Sequence, residues 1–427
     1  MPFPARLPRL TVLILAIGIT TSLFAADVDG LILTWRRDPS TTMVIDWHRN
    51  GPDAPASETL SHRPAGDPTA PWREVASEPA RDFPYLDRKI YRVELAGLAP
   101  DSRHEFRVGD GPVRVFATLP NRLERPLRFI VGGDMMHHEK HYSQMNRTAA
   151  ALDPAFIVWG GDLAYENGRP DEAGRMARFV DIMRDTFVAP DGRVIPVLAG
   201  VGNHEVRGYF YYGKDRGREN WPATDAAREK IAPYFYALWA FPGHPGYAAL
   251  DIGDYASILM LDTDHTGPIE GVQTEWLVNA LKQRADVPHV IPVYHVPAYP
   301  SVRDFEGEVS QSVRTHWTPL FDRFGIRVAF ENHDHAYKRT HTLRDGRPHP
   351  EGVLYIGDGA WGVGPRNPDP TRPYLVKTAK VNHAVLVEMH PDRLDMRAVR
   401  SNGEVIDEFS APARTAPAPR LAVAFRR

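Results

Sequence analysis

Trp159-Gly160-Gly161-Asp162-Leu163-Ala164-Tyr165 ends an apolar run that begins at Phe156, stopping it on two glycines and a carboxylate. A buried strand carries paired glycines where other backbone must approach closely. An acid placed there sits at the strand's carboxyl end, the edge at which open α/β sheets bind ligands. Tyr165 adds an oxygen donor three residues on. The heptapeptide alone supports two readings equally, a strand-to-loop turn capped by an aspartate or one corner of a metal site.

Around it the chain alternates apolar strands with amphipathic helices. The pattern predicts strands at 127–132, 155–159, 194–198, 255–261, 289–293, 327–330 and 353–356. Helices are predicted over 143–152, 174–187, 273–284 and 312–324, each with an apolar face at three- to four-residue spacing. This argues for a layered α/β domain over 127–412, closed by a hairpin at 384–389 and 393–399 and followed by a disordered tail at 413–427. The insertion at 207–247 is dense in aromatics, including Tyr209, Phe210, Tyr211, Tyr212, Trp221, Tyr234 and Trp239. Packing is its ordinary reading and a lid over a site the sharper one.

Ahead of this domain, short alternating runs at 31–35, 42–47, 89–95, 104–108 and 113–117 predict an all-β sandwich over 27–120, with 121–126 as linker. Leu95-Ala-Gly-Leu-Ala-Pro-Asp101 resembles the late-strand segment of fibronectin type III modules. At the amino terminus Arg6 and Arg9 precede an apolar stretch from Leu10 to Ile19 and then Ala25-Ala26. That is the order of a secretory signal over 1–26, predicting export to the periplasm or the medium; an uncleaved anchor is the other reading. No further stretch reaches about 18 apolar residues, so no membrane span is expected after cleavage.

Composition narrows the chemistry. Lys and Arg number 51 against 54 Asp and Glu, and no long basic run occurs, so neither nucleic acid nor an anionic membrane is favoured as partner. Cysteine is absent, which excludes disulfides, thiolate metal sites and a cysteine nucleophile. Any metal must be held by oxygen and nitrogen. The 18 histidines bunch at 137–141 and 333–341.

Five predicted strands stop at residues able to bind metal: Gly133-Asp134, Gly161-Asp162, Gly202-Asn203-His204, Tyr294-His295 and Asn332-His333-Asp334-His335. Singly each has a bland explanation, a helix cap for Asp134, a left-handed turn for Asn203, a core imidazole for His295, a loop carboxylate for Asp334. Jointly, at the carboxyl edge of one expected sheet, they point to a metal site. Carboxylate and phenolate suit trivalent iron, whereas imidazole and amide oxygen suit divalent zinc, iron or manganese. Two such ions about 3.5–4 Å apart activate water and neutralise a phosphoryl group.

These residues resemble the calcineurin-like metallophosphoesterases, and among them the purple acid phosphatases. The ordered set Gly133-Asp134, Gly161-Asp162-Leu-Ala-Tyr165, Gly202-Asn203-His204-Glu205, His295 and His333-Asp334-His335 carries the likeness, and the tyrosine after the second aspartate marks the subgroup. The resemblance implies a metallophosphoesterase sandwich of β-sheets flanked by helices, preceded by the fibronectin-like module. It further implies that Asp134, Tyr165 and His335 hold ferric iron, Asp162 bridges, and Asn203, His295 and His333 hold a divalent partner. His204 would face the substrate phosphate, and a metal-bound hydroxide would attack it. The expected activity is hydrolysis of small phosphate monoesters. A diesterase of the same fold and an inactive binding or adhesion protein are the alternatives.

Three departures from the family pattern stand out. Asn332 replaces the glycine usual before the paired histidines. The neighbourhood of Val302-Arg303-Asp304-Phe305 lacks the histidine pair that plant members carry there, leaving the leaving-group acid unassigned; Arg303 and Asp304 read as a surface pair or as substrate contacts. His137 and His138 read as loop residues or as neighbours of the pocket.

Overall fold

The computed structural model describes residues 27–207 and 221–414. The signal-like segment at 1–26, the aromatics Tyr209, Phe210, Tyr211 and Tyr212, and 415–427 of the expected tail lie outside the described residues.

The strand ends converge, but from two sheets and not from the single sheet expected. One sheet runs in the order Val197–Ala199, Phe156–Trp159, Leu127–Gly132, His383–Met389, Arg393–Arg400, Val405–Pro412; its first three strands are parallel. The other runs Ala248–Ile252, Ala256–Met260, His289–Val293, Val328–Glu331, Val353–Gly357, Tyr337–Arg344, Arg347–Pro348, with Leu375–Ala379 also on Tyr337–Arg344. Its strands from Ala256–Met260 to Val353–Gly357 are parallel.

Period-two alternation makes four layers of these sheets. Phe129, Val131, Phe156, Val158 and Leu198 meet Ile258, Met260, Ile291, Val293, Phe330 and Ile356 in the core between them. The intervening Ile130, Ile157 and Trp159 turn outward onto the helices Glu139–Ala151 and Ala173–Thr186, through Tyr142, Met145, Phe179 and Val180. On the far side Leu259, Val290, Ala329 and Tyr355 pack under Leu277, Leu281, Val313, Trp317 and Phe321. Each such buried side chain contributes about 1.5–3 kcal/mol, so a strand that fills both faces is fixed in register by both. The helix expected over 312–324 is two, Glu308–His316 and Thr318–Arg323, because Pro319 can only start a helix there. The carboxyl-terminal hairpin gains the third strand Val405–Pro412, and order continues past residue 412: Ala413 donates to the Asp392 carbonyl and Arg414 to that of Pro288.

The amino-terminal module pairs two four-stranded sheets, ordered Gly30–Thr34, Thr42–Asn50, Arg88–Ala96, Arg81–Asp82 and Arg73–Ala76, Thr59–Pro64, Arg103–Val108, Arg114–Ala117. Three of these strands, Thr59–Pro64, Arg73–Ala76 and Arg81–Asp82, lie outside the alternating runs read from the sequence. The module is docked against its neighbour. Ile32, Phe83 and Ile90 join the cluster beneath helix Ala173–Thr186, and Arg88 Nη2 lies 2.7 Å from Asp181 Oδ1. Arg184 donates to the carbonyls of Val28 and Asp29 at 2.7 and 3.0 Å, and Arg92, paired with buried Asp46, donates to that of Leu238 at 3.0 Å. Among the described residues no helix is long and apolar enough to cross a membrane.

Candidate metal centre

The glycines at the strand ends behave as the opening stretch predicts. A Cβ on Gly160 would overlap the Asn332 amide, and one on Gly161, whose φ is 101°, would meet Gly202 N at 2.6 Å. Glu205, fully buried, accepts from the backbone N–H groups of Asp162, Leu163 and Gly202 at 2.8, 2.6 and 2.7 Å. It thereby ties the second and third strand ends together. Asp134 N donates to Gly161 O at 3.0 Å, adding the first. Five of the seven candidate donors have left-handed backbone: Asp134 (φ 57°), Asp162 (56°), Tyr165 (61°), His333 (80°) and His335 (60°). Such conformations cost about 1–3 kcal/mol each in non-glycine residues and collect at functional sites.

Their side chains form two adjacent groups. Asp162, His295 and His333 offer ligand atoms within 4.8 Å of one another, as do Asp134, Asp162 and His335, and Asp162 belongs to both. In the first group His295 Nδ1 donates to the Gly160 carbonyl at 3.0 Å, which leaves Nε2 as a lone pair in the neutral ring. That lone pair faces three further acceptor-capable atoms: Asn203 Oδ1 at 3.1 Å, Asp162 Oδ2 at 3.2 Å and His333 Nδ1 at 2.9 Å. In the second, Tyr165 Oη lies 3.2 Å from Asp134 Oδ1 and 3.1 Å from His335 Nε2, with His335 Nε2 and Asp134 Oδ1 2.9 Å apart. All seven predicted donors are therefore assembled, every one buried. Converging lone pairs around two carboxylates fit cations, and the electrostatics agree. Burial opposes protonation of His295, but Asp162 outweighs it and raises the pKa. Burial and the charges of Asp134 and Asp162 push the Tyr165 phenol well above its ordinary range, a shift that a bound cation reverses.

His204 occupies the more open side. Its backbone N–H donates to Asp162 Oδ1 at 2.9 Å, its ring lies 4.3 Å from that of Tyr165, and its Nε2 is 3.9 Å from Asp162 Oδ2. Asn167 orients it. The Asn167 amide nitrogen donates to the Tyr165 carbonyl at 3.0 Å, so Oδ1 is the atom 2.5 Å from His204 Nδ1, and Nδ1 must be the donor. Nε2 is left directed toward the metal groups. Sequence reading missed Asn167, whose only signal is its position two residues after Tyr165, and quoted Glu205 without giving it a role.

The departures acquire explanations. Asn332 fills the space over Gly133 and Gly160 and donates from Nδ2 to the Tyr294 carbonyl at 2.8 Å, so here the asparagine side chain bridges strand ends. Gly160→Ala is expected to destabilise the protein by about 1–3 kcal/mol through overpacking. Adding Asn332→Gly should recover part of that loss, as read from thermal melts; strict additivity of the two changes would refute the contact. Asp334 is a positioning carboxylate. It accepts from the N–H groups of Ser301, Val302 and Arg303 at 2.7, 2.6 and 3.2 Å, and Arg303 Nη1 donates to the His333 carbonyl at 2.6 Å. Asp304 is exposed and accepts from Glu306 N at 3.0 Å within a turn. His137 is no remote loop residue, because its ring stands edge-on to Tyr165 at 5.2 Å.

Four layers with paired acidic and imidazole donors at facing strand ends define a metallophosphoesterase. Residues 28–118 match the family model described as purple acid phosphatase, N-terminal domain, and 127–337 match that of the calcineurin-like phosphoesterases. The chain is a purple acid phosphatase-like member of the calcineurin-like phosphoesterases. It is similar to an uncharacterized protein of Mycobacterium tuberculosis, 25% identical over 391 residues that cover 83% of this chain and 68% of the relative. Purple acid phosphatase 18 of Arabidopsis thaliana is 26% identical over 323 residues, covering 71% of this chain and 66% of the relative. This chain thus spans about two thirds of the length of these relatives. The structure of a purple acid phosphatase from yellow lupin (Lupinus luteus) seeds shares the fold, with a TM-score of 0.68, 15% identity, and coverage of 89% of this chain and 73% of the lupin chain.

Proposed function

We propose that the protein is an exported, binuclear metal-dependent phosphatase that hydrolyses small phosphate monoesters. The observation that carries this reading is the pair of buried donor groups sharing Asp162. In it Asp134, Tyr165 and His335 hold ferric iron, Asn203, His295 and His333 hold a divalent ion such as zinc, iron or manganese, and Asp162 bridges. When bound, the ions supply a water nucleophile at neutral pH and neutralise charge on the phosphoryl group. The protein's own residues do the rest. Asn167 accepts from Nδ1 and orients the His204 ring, so that Nε2, once protonated beside the phosphate dianion, donates to a phosphate oxygen and strengthens there as charge develops in the transition state. Glu205 and Asp334 hold the strand ends in place, which keeps the donors preorganised. The signal-like segment at 1–26 supports export.

Elemental mass spectrometry of the protein purified without added metal is expected to give about two metal ions per chain, one of them iron, with turnover of phenyl phosphate lost on chelation and restored by iron and zinc. Less than about a tenth of that content, unchanged after reconstitution, would sink the reading.

A further inference from the structure

His137-His138-Glu139-Lys140-His141 runs into the helix Glu139–Ala151, and the proposed binuclear centre uses none of its three imidazoles. His138 takes the N-cap position with extended backbone (φ −126°, ψ 117°), and no capping hydrogen bond engages its side chain. The imidazoles meet one another instead. His137 Nδ1 lies 3.3 Å from His138 Nε2, with ring centroids 4.6 Å apart and planes at 77°. The His141 ring, in the first turn of the helix, stands edge-on to that of His138 at 5.3 Å. Its Nδ1 is shielded from solvent and has no hydrogen-bond partner among the described residues.

A shielded nitrogen left without a partner costs about 1–3 kcal/mol, which a ligand would recover. The 3.3 Å separation of the other two makes a poor hydrogen bond, since N–H donors prefer about 2.9–3.0 Å. It suits a shared ion better: with Zn–N bonds of about 2.0–2.1 Å, the edge of a tetrahedral site is about 3.3–3.4 Å. His137 and His141 are also four positions apart, the spacing at which a helical turn presents two imidazoles to one zinc. His137 and His138 are exposed, so closing around an ion takes side-chain rotation alone, with half-buried His141 as the anchor. Glu139 is engaged by Arg178 at 3.1 Å, and the donors this segment offers are therefore imidazoles.

We infer that His137, His138 and His141 form a third transition-metal site, separate from the paired donor groups, which takes a divalent ion such as zinc through three imidazoles. The fourth position of a tetrahedral ion falls to water. Imidazole selects zinc and its neighbours over calcium and magnesium, which prefer oxygen. The site borders the buried donors without sharing any of them: the His137 ring stands 5.2 Å from that of Tyr165. It does not depend on phosphatase activity, because none of its ligands belongs to the proposed centre.

The test is equilibrium dialysis of the untagged full chain against zinc, with bound metal counted by elemental mass spectrometry. The wild type should hold one more zinc per chain than the double variant His138→Ala with His141→Ala, the additional ion having a dissociation constant below about 100 µM and resisting displacement by magnesium. The same difference of one ion is expected in an Asp162→Asn background, since these histidines do not use Asp162. Failure of the binuclear centre would thus leave the difference intact, and the two readings fail separately. Equal zinc content in the wild type and the double variant, or a weaker constant, would mean an adventitious ion only and would overturn the site. Should the double variant melt early, His137→Ala decides, because its side chain is exposed. It should weaken binding of the additional ion at least about tenfold, and unchanged binding would overturn the site equally.

Discussion

Asp162→Asn is expected to lower kcat/KM for phenyl phosphate by about 10³-fold, roughly 4 kcal/mol of transition-state stabilisation, and to reduce metal content to one ion per chain or fewer. Asp162 is the one residue common to both donor groups, so its charge is shared where other donors serve a single group. The substitution is nearly isosteric. An amide oxygen can still accept from His204 N, now 2.9 Å from Asp162 Oδ1, so loss of function without loss of fold is the informative outcome. Its pKa lies well below the ordinary range: burial opposes ionisation, but His295 and His204 more than compensate. Two ions per chain and activity within about tenfold of wild type would show that Asp162 does not bridge.

Lys338→Met should destabilise the protein by about 3–5 kcal/mol. Lys338 is completely buried on strand Tyr337–Arg344, paired with Glu331 and 3.3 Å from Asp358, and it donates to the Tyr299 carbonyl. Burial alone would lower its pKa, but Asp358 and Glu331 reverse this and raise it. Removing the cation strands two carboxylates in the interior. Those carboxylates also shape the loop beside the site: Glu331 Oε1 accepts from Ala298 N and Tyr294 Oη, each at 2.7 Å, and Asp358 accepts from Ser301 N at 3.1 Å. The denaturant midpoint should fall accordingly, and Lys338→Met with Glu331→Gln should recover part of the loss. A change below about 1 kcal/mol would mean that water reaches the cluster and the pair is worth no more than a surface one.

The strand ends were legible because an apolar run stopped by Gly133-Asp134, Gly161-Asp162 or Gly202-Asn203 is a local signal, readable without knowing the partner strands, whereas the set of seven candidate donors came from the family resemblance. Which sheet each strand joins was not. Phe129 and Ile291 are equally apolar, and nothing in either strand says that they meet face to face across a core and not edge to edge in one sheet. The chain changes sheets between Ala199 and Ala248, across the insertion, where no periodicity survives to announce it. Ala248–Ile252, Tyr337–Arg344 and Leu375–Ala379 were missed for a related reason: two of them carry lysine or arginine that reads as solvated surface. Lys338 is the clearest case, since only Glu331 and Asp358, brought in by tertiary structure, make its burial tolerable. Asn167 was illegible because an orienting hydrogen bond exists only in three dimensions.

The division of the donors between two sheets bears on how the protein is made. Asp134 and His333 are separated by 199 positions, yet the His333 N–H reaches Asp134 Oδ2 at 2.8 Å. An unfolded or half-assembled chain cannot hold such distant groups together, because closing a loop of that length costs entropy that no single sheet offsets. Metal capture under the proposed function would therefore be a late event, open only to chains whose two halves have already docked. Ions bound at about a thousand times their dissociation constant would favour that docked form by about 4 kcal/mol. A centre so loaded would serve as a rivet as well as a reagent, and resistance to chelators would gauge how seldom the two halves part.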